Sequence, residues 1–312
     1  MFPLLQPLLH AHEHTASGGF WPLVGEAALH ALKDGLWSIP ILFIAYLLME
    51  LLERSKRLDE SILHGYSRKT GPIFGGPLGI VPQCGISGAA ATLFSTGSIT
   101  VGTMLAVFFA TSDEMLPIML SSLSGDGSLK IGTILLILLL KALLGISLGY
   151  LADLIIGRWL RSRKDIHSFC QRENCSCDEE EGSVFLSALK HTLKIGIMLI
   201  LVTFGLNLLF TFVGVERLSG TVLSMPVIGE LIVGLFGLIP NCSVSVIVTE
   251  SYLSGVLSLG GLFAGLLSNA GIGLLVLFRT NKNLRENLVI TGLLYVLSVL
   301  AAVSVNFLSR LF

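Results

Sequence analysis

The sequence predicts an all-α integral membrane protein made of two inverted repeats, each with three spanning helices and one re-entrant broken-helix hairpin. Of its 312 residues, 53% are hydrophobic and only 13% are charged, and the mean hydropathy is +0.81. Soluble domains rarely have such a composition. Apolar runs of about 20 residues, the length that crosses a ~30 Å hydrocarbon core, recur along the chain. One segment rich in Gly, Pro and Cys interrupts this pattern in each half.

Six apolar runs predict spanning helices, three in each half of the chain. They cover residues 27–52, 98–120, 130–156, 184–212, 256–278 and 288–308. Residues 1–26 lack the early basic region of a secretory signal and are expected to remain as a His-containing extracytoplasmic segment. The first transmembrane repeat then covers residues 27–156, a polar cytoplasmic loop residues 157–183, and the second repeat residues 184–312.

An internal duplication relates the two halves. The segment GPLGIVPQCGIS at 76–87 aligns without a gap to GLFGLIPNCSVS at 234–245, which places the two Pro-x-Cys motifs 158 positions apart. A second match, HALKDG at 30–35 with HTLKIG at 191–196, is independent of the first. Repetition of a rare Pro-x-Cys inside apolar sequence favours duplication over chance.

Charge asymmetry predicts the topology. Lys and Arg concentrate in the connections at 54–69, 158–164 and 279–285, which the positive-inside rule assigns to the cytoplasm. Residues 72–95 must then enter and leave on the cytoplasmic face, and residues 227–253 on the outer face. Both termini are expected to be extracytoplasmic. Pro82 and Pro240 provide the helix breaks, because proline lacks an amide donor and clashes with the preceding turn.

The hairpin tips provide the first candidate binding residues. Oppositely inserted hairpins bring their tips near the bilayer midplane, where inverted-repeat transporters bind substrate. Thiolates select soft metals, and the flanking amides and hydroxyls suit an oxygen-rich ligand. The alternative is that these small residues only permit close helix packing. The candidates are Gln83, Cys84, Ser87, Asn241, Cys242 and Ser245.

Acidic residues in apolar segments provide further candidates. Asp113 and Glu114 lie in a predicted span and Glu250 lies in the second hairpin, where carboxylates are costly and therefore often functional. Proton exchange and cation coordination are the expected roles, and a structural pair is the alternative. Asn269 and Ser268, at the corresponding place in the second copy, could complete this substrate site.

Two His and Lys pairs stand at the start of the first span of each copy. His30 and Lys33, and likewise His191 and Lys194, are separated by about one helical turn. Gating or proton relay is one interpretation, and snorkelling of the lysines towards the membrane surface is the other.

Potential metal ligands also occur outside the spans. The N-terminal segment contains HAHEH, and the central loop contains one histidine and three cysteines followed by acidic residues. Such clusters are typical of metal capture, although a plain solvated linker is the alternative. The predicted metal ligands are His10, His12, His14, His167, Cys170, Cys175 and Cys177.

The paired PQCGIS and PNCSVS motifs, the His-rich start and the Cys-containing loop resemble the ten-transmembrane heavy-metal exporter family, which is related to arsenic efflux permeases. Some members are labelled manganese transporters. The resemblance covers nearly the whole chain, and its most specific part is the motif around Cys84 and Cys242. It implies export of a metal or metalloid across the inner (plasma) membrane. The resemblance does not extend to the carboxylates.

The expected function is therefore secondary active export, coupled to protons, with no enzymatic activity. No Walker A motif occurs, and a net charge of −1 excludes a basic nucleic-acid footprint. No cofactor is required, because the metal ion is cargo; the partners are membrane lipid, the small ion or solute, and protons, and a homo-oligomer is compatible with the sequence. A transporter of a small sulfur-containing or anionic solute is the main alternative, since thiosulfate transporters resemble it in their cysteine-bearing hairpins. An intramembrane thiol enzyme is a further alternative.

Overall fold

A computed structural model describes residues 60–81, 84–111, 115–124, 131–156 and 227–309, with isolated helical residues between 25 and 47 and between 189 and 205. Throughout these ranges the secondary structure is helical and no strand occurs. Four helical segments among them are long and apolar enough to cross a membrane: Val101–Ser122, Ile131–Ile155, Leu259–Thr280 and Leu284–Ser309. The protein is therefore membrane-embedded.

The described helices fall into two sets that follow the same order. The first half contains α1 (Glu60–Ile80), α2 (Cys84–Ser95), α3 (Val101–Ala110), α4 (Met115–Ser124) and α5 (Ile131–Ile155). The second half contains α6 (Ile228–Gly237), α7 (Cys242–Leu253), α8 (Leu259–Ser268), α9 (Gly273–Thr280) and α10 (Leu284–Ser309). The turns before α3 and α8 both need a glycine at positive φ, Gly97 at 84° and Gly255 at 76°. These glycines lie 158 positions apart, like the two motifs.

Four predicted spans correspond to segments that are long and apolar enough to cross a membrane, but two of these segments are not continuous helices. Spans 130–156 and 288–308 correspond to α5 and α10, and α10 begins four residues earlier than expected. Spans 98–120 and 256–278 are each interrupted. Backbone at Thr111 (φ −52°, ψ 126°) and Asn269 (φ −82°, ψ 96°) is not helical, so α3 and α8 end there. Most of spans 27–52 and 184–212 lies outside the described residues.

The helix breaks of the Pro-x-Cys segments occur where prolines were expected to cause them. In the first half α1 ends at Ile80 and α2 begins at Cys84; in the second half α6 ends at Gly237 and α7 begins at Cys242. Helix α1 starts well before the predicted hairpin at 72 and continues through Pro72 and Pro77. Both breaks end at the repeated cysteine.

Three helices of each half form one packed unit, α1 with α3 and α5, and α6 with α8 and α10. All ten residues of α3 and nine of the ten in α8 are buried. Helices α5 and α10 instead expose large apolar side chains along their length, as expected of surfaces that face lipid. Helices α3 and α8 therefore form the centre, and the exposed side chains include Leu135, Leu139, Leu143, Val296, Leu300 and Phe307.

Close glycine contacts recur in both units. A Cβ atom at Gly79 would lie 2.6 Å from the Val107 carbonyl oxygen, and one at Gly237 would lie 2.5 Å from the Gly265 carbonyl oxygen. Both members of the second pair lie 158 positions after those of the first. Only glycine allows helices to approach so closely. The duplicated sequence therefore forms the same helix crossing twice.

Candidate functional site

Helices α2 and α9, from different halves, lie side by side and run in the same direction. At their starts, a Cβ atom at Gly273 would lie 2.9 Å from the Cβ of Ser87. At their ends, Ser95 Oγ and Thr280 Oγ1 form a 2.7 Å hydrogen bond. Helix N-termini carry unsatisfied N–H groups and a partial positive charge. The start of α2, which follows a Pro-x-Cys break, therefore lies beside the start of α9, which follows the break at the end of α8.

Helices α7 and α4, which correspond to α2 and α9 in the other half, also pack together. Ser245 and Met115, the positions 158 residues from Ser87 and Gly273, are both buried. The helix after the Pro-x-Cys break of one half therefore packs against a helix of the other half, namely the one that follows the break at the end of α3 or α8. These pairs are α2 with α9 and α7 with α4. This arrangement brings all four breaks into one region of the molecule.

The predicted hairpin-tip residues lie at the starts of α2 and α7. Cys84 and Cys242 are the first residues of these helices, although their side chains lie outside the described residues, as does Gln83 entirely. Ser87, Ser245 and Asn241 are almost completely buried. Asn241 also closes the second break through its backbone: its amide donates to Ile239 O at 2.7 Å, and its carbonyl accepts from Val244 N at 3.3 Å.

The predicted acidic site is described only in part. Asp113 and Glu114 lie outside the described residues, between α3 and α4. Asn269 is buried, and its Oδ1 accepts a hydrogen bond from Gly271 N at 2.9 Å, which closes the turn after α8. Glu250 is exposed in the last turn of α7, about 12 Å along the helix axis from Cys242. The structure therefore does not bring Glu250 to the start of α7.

The remaining predicted ligands and relay residues fall outside the described part of the chain. Among the residues that are described, no group of three or more His, Cys, Asp or Glu side chains could hold a metal ion. Metal capture by the N-terminal segment and the central loop stays a prediction, as does the relay. The residues concerned are His10, His12, His14, His30, Lys33, His167, Cys170, Cys175, Cys177, His191 and Lys194.

Lys141 is a buried cation that the sequence analysis did not single out. It lies near the middle of α5, with no exposed surface, and its ammonium group donates a hydrogen bond to the Thr111 carbonyl at the end of α3. A single lysine inside a 25-residue apolar helix was a signal that could have identified it.

Asn306 of α10 contacts Gly260 as Asp153 of α5 contacts Gly102, so residues of α10 correspond to those of α5 that lie 153 positions earlier. Lys141 therefore corresponds to the buried Leu294. Among the described residues, a positive charge therefore lies at the break after α3 and none at the break after α8.

Two buried carboxylates were also missed, and each caps the start of a helix, Asp153 that of α3 and Glu230 that of α6. Asp153 accepts hydrogen bonds from Gly102 N and from Thr100 Oγ1, each at 2.8 Å, at the start of α3. In the second half Glu230 of α6 accepts hydrogen bonds from Val227 N and Asn306 Nδ2. Carboxylates near a helix N-terminus satisfy its free N–H groups and interact favourably with its dipole. Both carboxylates therefore act as structural caps.

No protein-family model, curated protein or solved structure matches this chain. The functional interpretation therefore depends on the geometry of the breaks and on the residues placed there.

Proposed function

We propose that this protein is a secondary active transporter that exports a metal or metalloid ion across the inner membrane. The observation that carries the proposal is that α2 and α7 both begin at the cysteine of the repeated Pro-x-Cys motif. Both cysteines therefore lie at a helix start, where free N–H groups carry a partial positive charge, and the thiolate is the form of cysteine that binds metal. Thiolates prefer soft ions such as Zn(II), Cd(II), Cu(I) and As(III).

An inverted-repeat architecture would give this transporter a route for alternating access. The reciprocal packing of α2 on α9 and of α7 on α4 supports a pseudo-two-fold relation between the halves. Charge asymmetry supports the opposite insertion of the two hairpins, with both termini outside. In such proteins the substrate site lies at the midplane, between broken helices from the two repeats. Here that place is the region of the four breaks.

Energy for export would come from the proton gradient, since the sequence contains no Walker A motif. Asp113 or Glu114 would release a proton when the metal ion binds and take one up when it leaves. The ligands of the central loop, Cys170, Cys175 and Cys177, would collect the ion on the cytoplasmic side. Each of these roles follows from the position of the residue in the sequence and the chemistry of its side chain.

Replacement of both motif cysteines tests the proposal. Cells that express the wild-type chain should contain less of one element among Mn, Zn, Cd, Cu and As than cells that lack it, measured by elemental analysis. The double variant Cys84→Ser/Cys242→Ser should restore the higher content. Ser304→Ala, at an exposed position of α10, is the control and should export normally. Full export by the double variant would exclude the cysteine site, and no change in any element on expression would exclude metal export.

Lys141 favours a second candidate, a transporter of a small anionic or sulfur-containing solute. A buried ammonium group and two adjacent helix N-termini would attract an anion. This candidate predicts that anions bind and that metals neither bind nor compete. Stabilisation of the purified protein by thiosulfate, without a response to Zn(II) or As(III), would favour it over metal export.

A further inference from the structure

Two buried hydroxyl groups in the second half differ from the other buried serines and threonines of the described helices. Thr92, Thr111 and Thr249, for example, each donate to the carbonyl four residues earlier in their own helix, at 2.7–3.0 Å. Ser268 Oγ and Ser298 Oγ are buried and have no hydrogen-bond partner among the described residues. An unsatisfied buried hydroxyl is costly. Within the described part of the chain, these two hydroxyls therefore lack the helix carbonyl that the others use and have no other acceptor or donor in its place.

Ser268 lies where α6, α8 and α10 cross, and Ser298 of α10 precedes Val299, which lies at the same crossing. Ser268 is the last residue of α8, and its Oγ would be 3.5 Å from a Cβ atom at Gly234. Ser298 corresponds to Gly145 of the first half, and Ser268 corresponds to Ala110. A Cβ atom at Gly145 would lie 3.3 Å from the Cβ of Ala110. The equivalent crossing of α8 and α10 in the second half would therefore bring Ser298 close to Ser268.

The end of α8 adds backbone oxygens to this place. Asn269 N donates to Gly265 O, but no described donor reaches the carbonyls of Leu266, Leu267 or Ser268 beyond that point. The last carbonyls of a helix carry a partial negative charge. Unwound carbonyls at the ends of broken membrane helices are the groups that coordinate Na⁺ in transporters built from inverted repeats.

The first half shows what occupies the equivalent place. There the ammonium group of Lys141 donates to the carbonyl of Thr111, which corresponds to Asn269. In the second half the lysine is replaced by an apolar residue, and two hydroxyls appear where the first half has no polar side chain. Three corresponding positions therefore differ between the halves. Lys141, Ala110 and Gly145 of the first half correspond to Leu294, Ser268 and Ser298 of the second.

We propose that the break after α8 binds a sodium ion, held by the Ser268 and Ser298 hydroxyls and by carbonyls at the end of α8. In the first half the ammonium group of Lys141 occupies this position. In the second half the hydroxyls and carbonyls at the same position can instead bind a cation. All these ligands are neutral oxygens, which suit a monovalent ion, because divalent cations are usually bound with carboxylates. Binding of sodium at this site does not depend on the proposed transport function, whereas a role of sodium as a second coupling ion does.

Thermal unfolding of the purified full chain in detergent tests the site. The Tm should be about 2–4 °C higher in NaCl than in choline chloride of equal concentration, because an ion that binds only the folded state stabilises it. Ser268→Ala and Ser298→Ala should lose this shift. Their Tm in choline chloride should equal or exceed that of the wild type, since each removes an unsatisfied hydroxyl. Ser304→Ala is the matched control, because its hydroxyl bonds to Leu300 O, and it should keep the shift.

Leu294→Lys provides a second and opposite variant. Its ammonium group should reach the Asn269 carbonyl as Lys141 reaches Thr111, so this variant should no longer respond to sodium. If a serine variant does not fold, the Tm shift between choline chloride and NaCl in the wild type and its loss in Leu294→Lys test the sodium site.

Three results would overturn the proposal: equal wild-type Tm values in NaCl and choline chloride, an undiminished shift in both serine variants, or an equal shift in KCl. The assay contains no transported metal. A sodium shift in a protein that exports no metal would therefore overturn the proposed function and leave this site standing.

Discussion

The carboxylate of Asp153, near the end of α5, accepts a hydrogen bond from the backbone amide of Gly102 in the first turn of α3. Its second oxygen accepts from the hydroxyl of Thr100, the residue that precedes α3. One buried side chain thus fixes the start of the most buried helix of the first half. In the second half Asn306 occupies the position of Asp153, and Glu230 of α6 supplies the negative charge instead.

Replacement of this carboxylate should destabilise the protein. In Asp153→Asn one acceptor oxygen becomes an amide donor that faces Thr100, so a hydrogen bond to a charged group is lost, at a cost of about 1.5–3 kcal/mol. Thermal unfolding in detergent measures this change. Ser147→Ala, on the exposed side of α5, should unfold like the wild type. A wild-type Tm for Asp153→Asn would show that the cap contributes little.

Two glycines of the second half should respond in opposite directions to alanine. A Cβ atom at Gly260 would lie 2.5 Å from the Cβ of Asn306, so Gly260→Ala should force the helices apart at a cost of about 1–3 kcal/mol. A Cβ atom at Gly292 would meet nothing within 4 Å, so Gly292→Ala should gain about 0.5–1 kcal/mol of helix stability. Unfolding midpoints of the two variants measure the contrast, and equal midpoints would contradict the close packing of α8 on α10.

Removal of the buried cation should impair transport more than folding. Lys141→Met keeps the length and apolar stem of the side chain but removes the charge beside the Thr111 carbonyl. We expect the transport rate in proteoliposomes to fall about tenfold or more, which corresponds to ~1.4 kcal/mol or more, while the protein still purifies as a folded species. Lys282→Gln, at an exposed position between α9 and α10, is the control. Wild-type transport by Lys141→Met would exclude a functional role for this charge.

The sequence predicted the parts of the fold that follow from hydropathy and from repetition. Helices α5 and α10 could be predicted because continuous apolar sequence of that length has few other stable forms in a membrane. The breaks before Cys84 and Cys242 could be predicted because proline cannot donate a backbone hydrogen bond. The breaks after α3 and α8 could not, because Thr111 and Asn269 lie inside apolar runs and neither residue breaks a helix by itself.

The site was harder to predict because its polar residues act across helices. Lys141, Asp153 and Glu230 each contact a backbone group or side chain far away in the sequence. Hydropathy averages over a single segment, so a lone charge in an apolar helix lowers the average only slightly. The sequence indicated Ser268 only as a polar residue that could complete the acidic site. Its missing hydrogen bond and its place at a helix crossing became visible only with the positions of α6, α8 and α10.

Packing between the two halves can be tested by a disulfide at the ends of α2 and α9. The hydroxyl oxygens of Ser95 and Thr280 are 2.7 Å apart, so two cysteines at these positions should satisfy the short Cβ separation that a disulfide requires, about 3.5–4.5 Å. Ser95→Cys/Thr280→Cys should be prepared with Ser at the five native cysteines and a protease site in the loop at 157–183. After mild oxidation and cleavage, the two halves should migrate together on a denaturing gel and separate under reduction.

The single variant Ser95→Cys in the same background is the control and should separate under all conditions. Because the two residues are 185 positions apart, the bond can form only if the first half and the second half pack as α2 against α9. Separation of the double variant after oxidation, in protein that still purifies as a single folded species, would contradict this contact. It would also remove the reciprocal packing that supports the pseudo-two-fold relation and therefore the inverted-repeat transport mechanism.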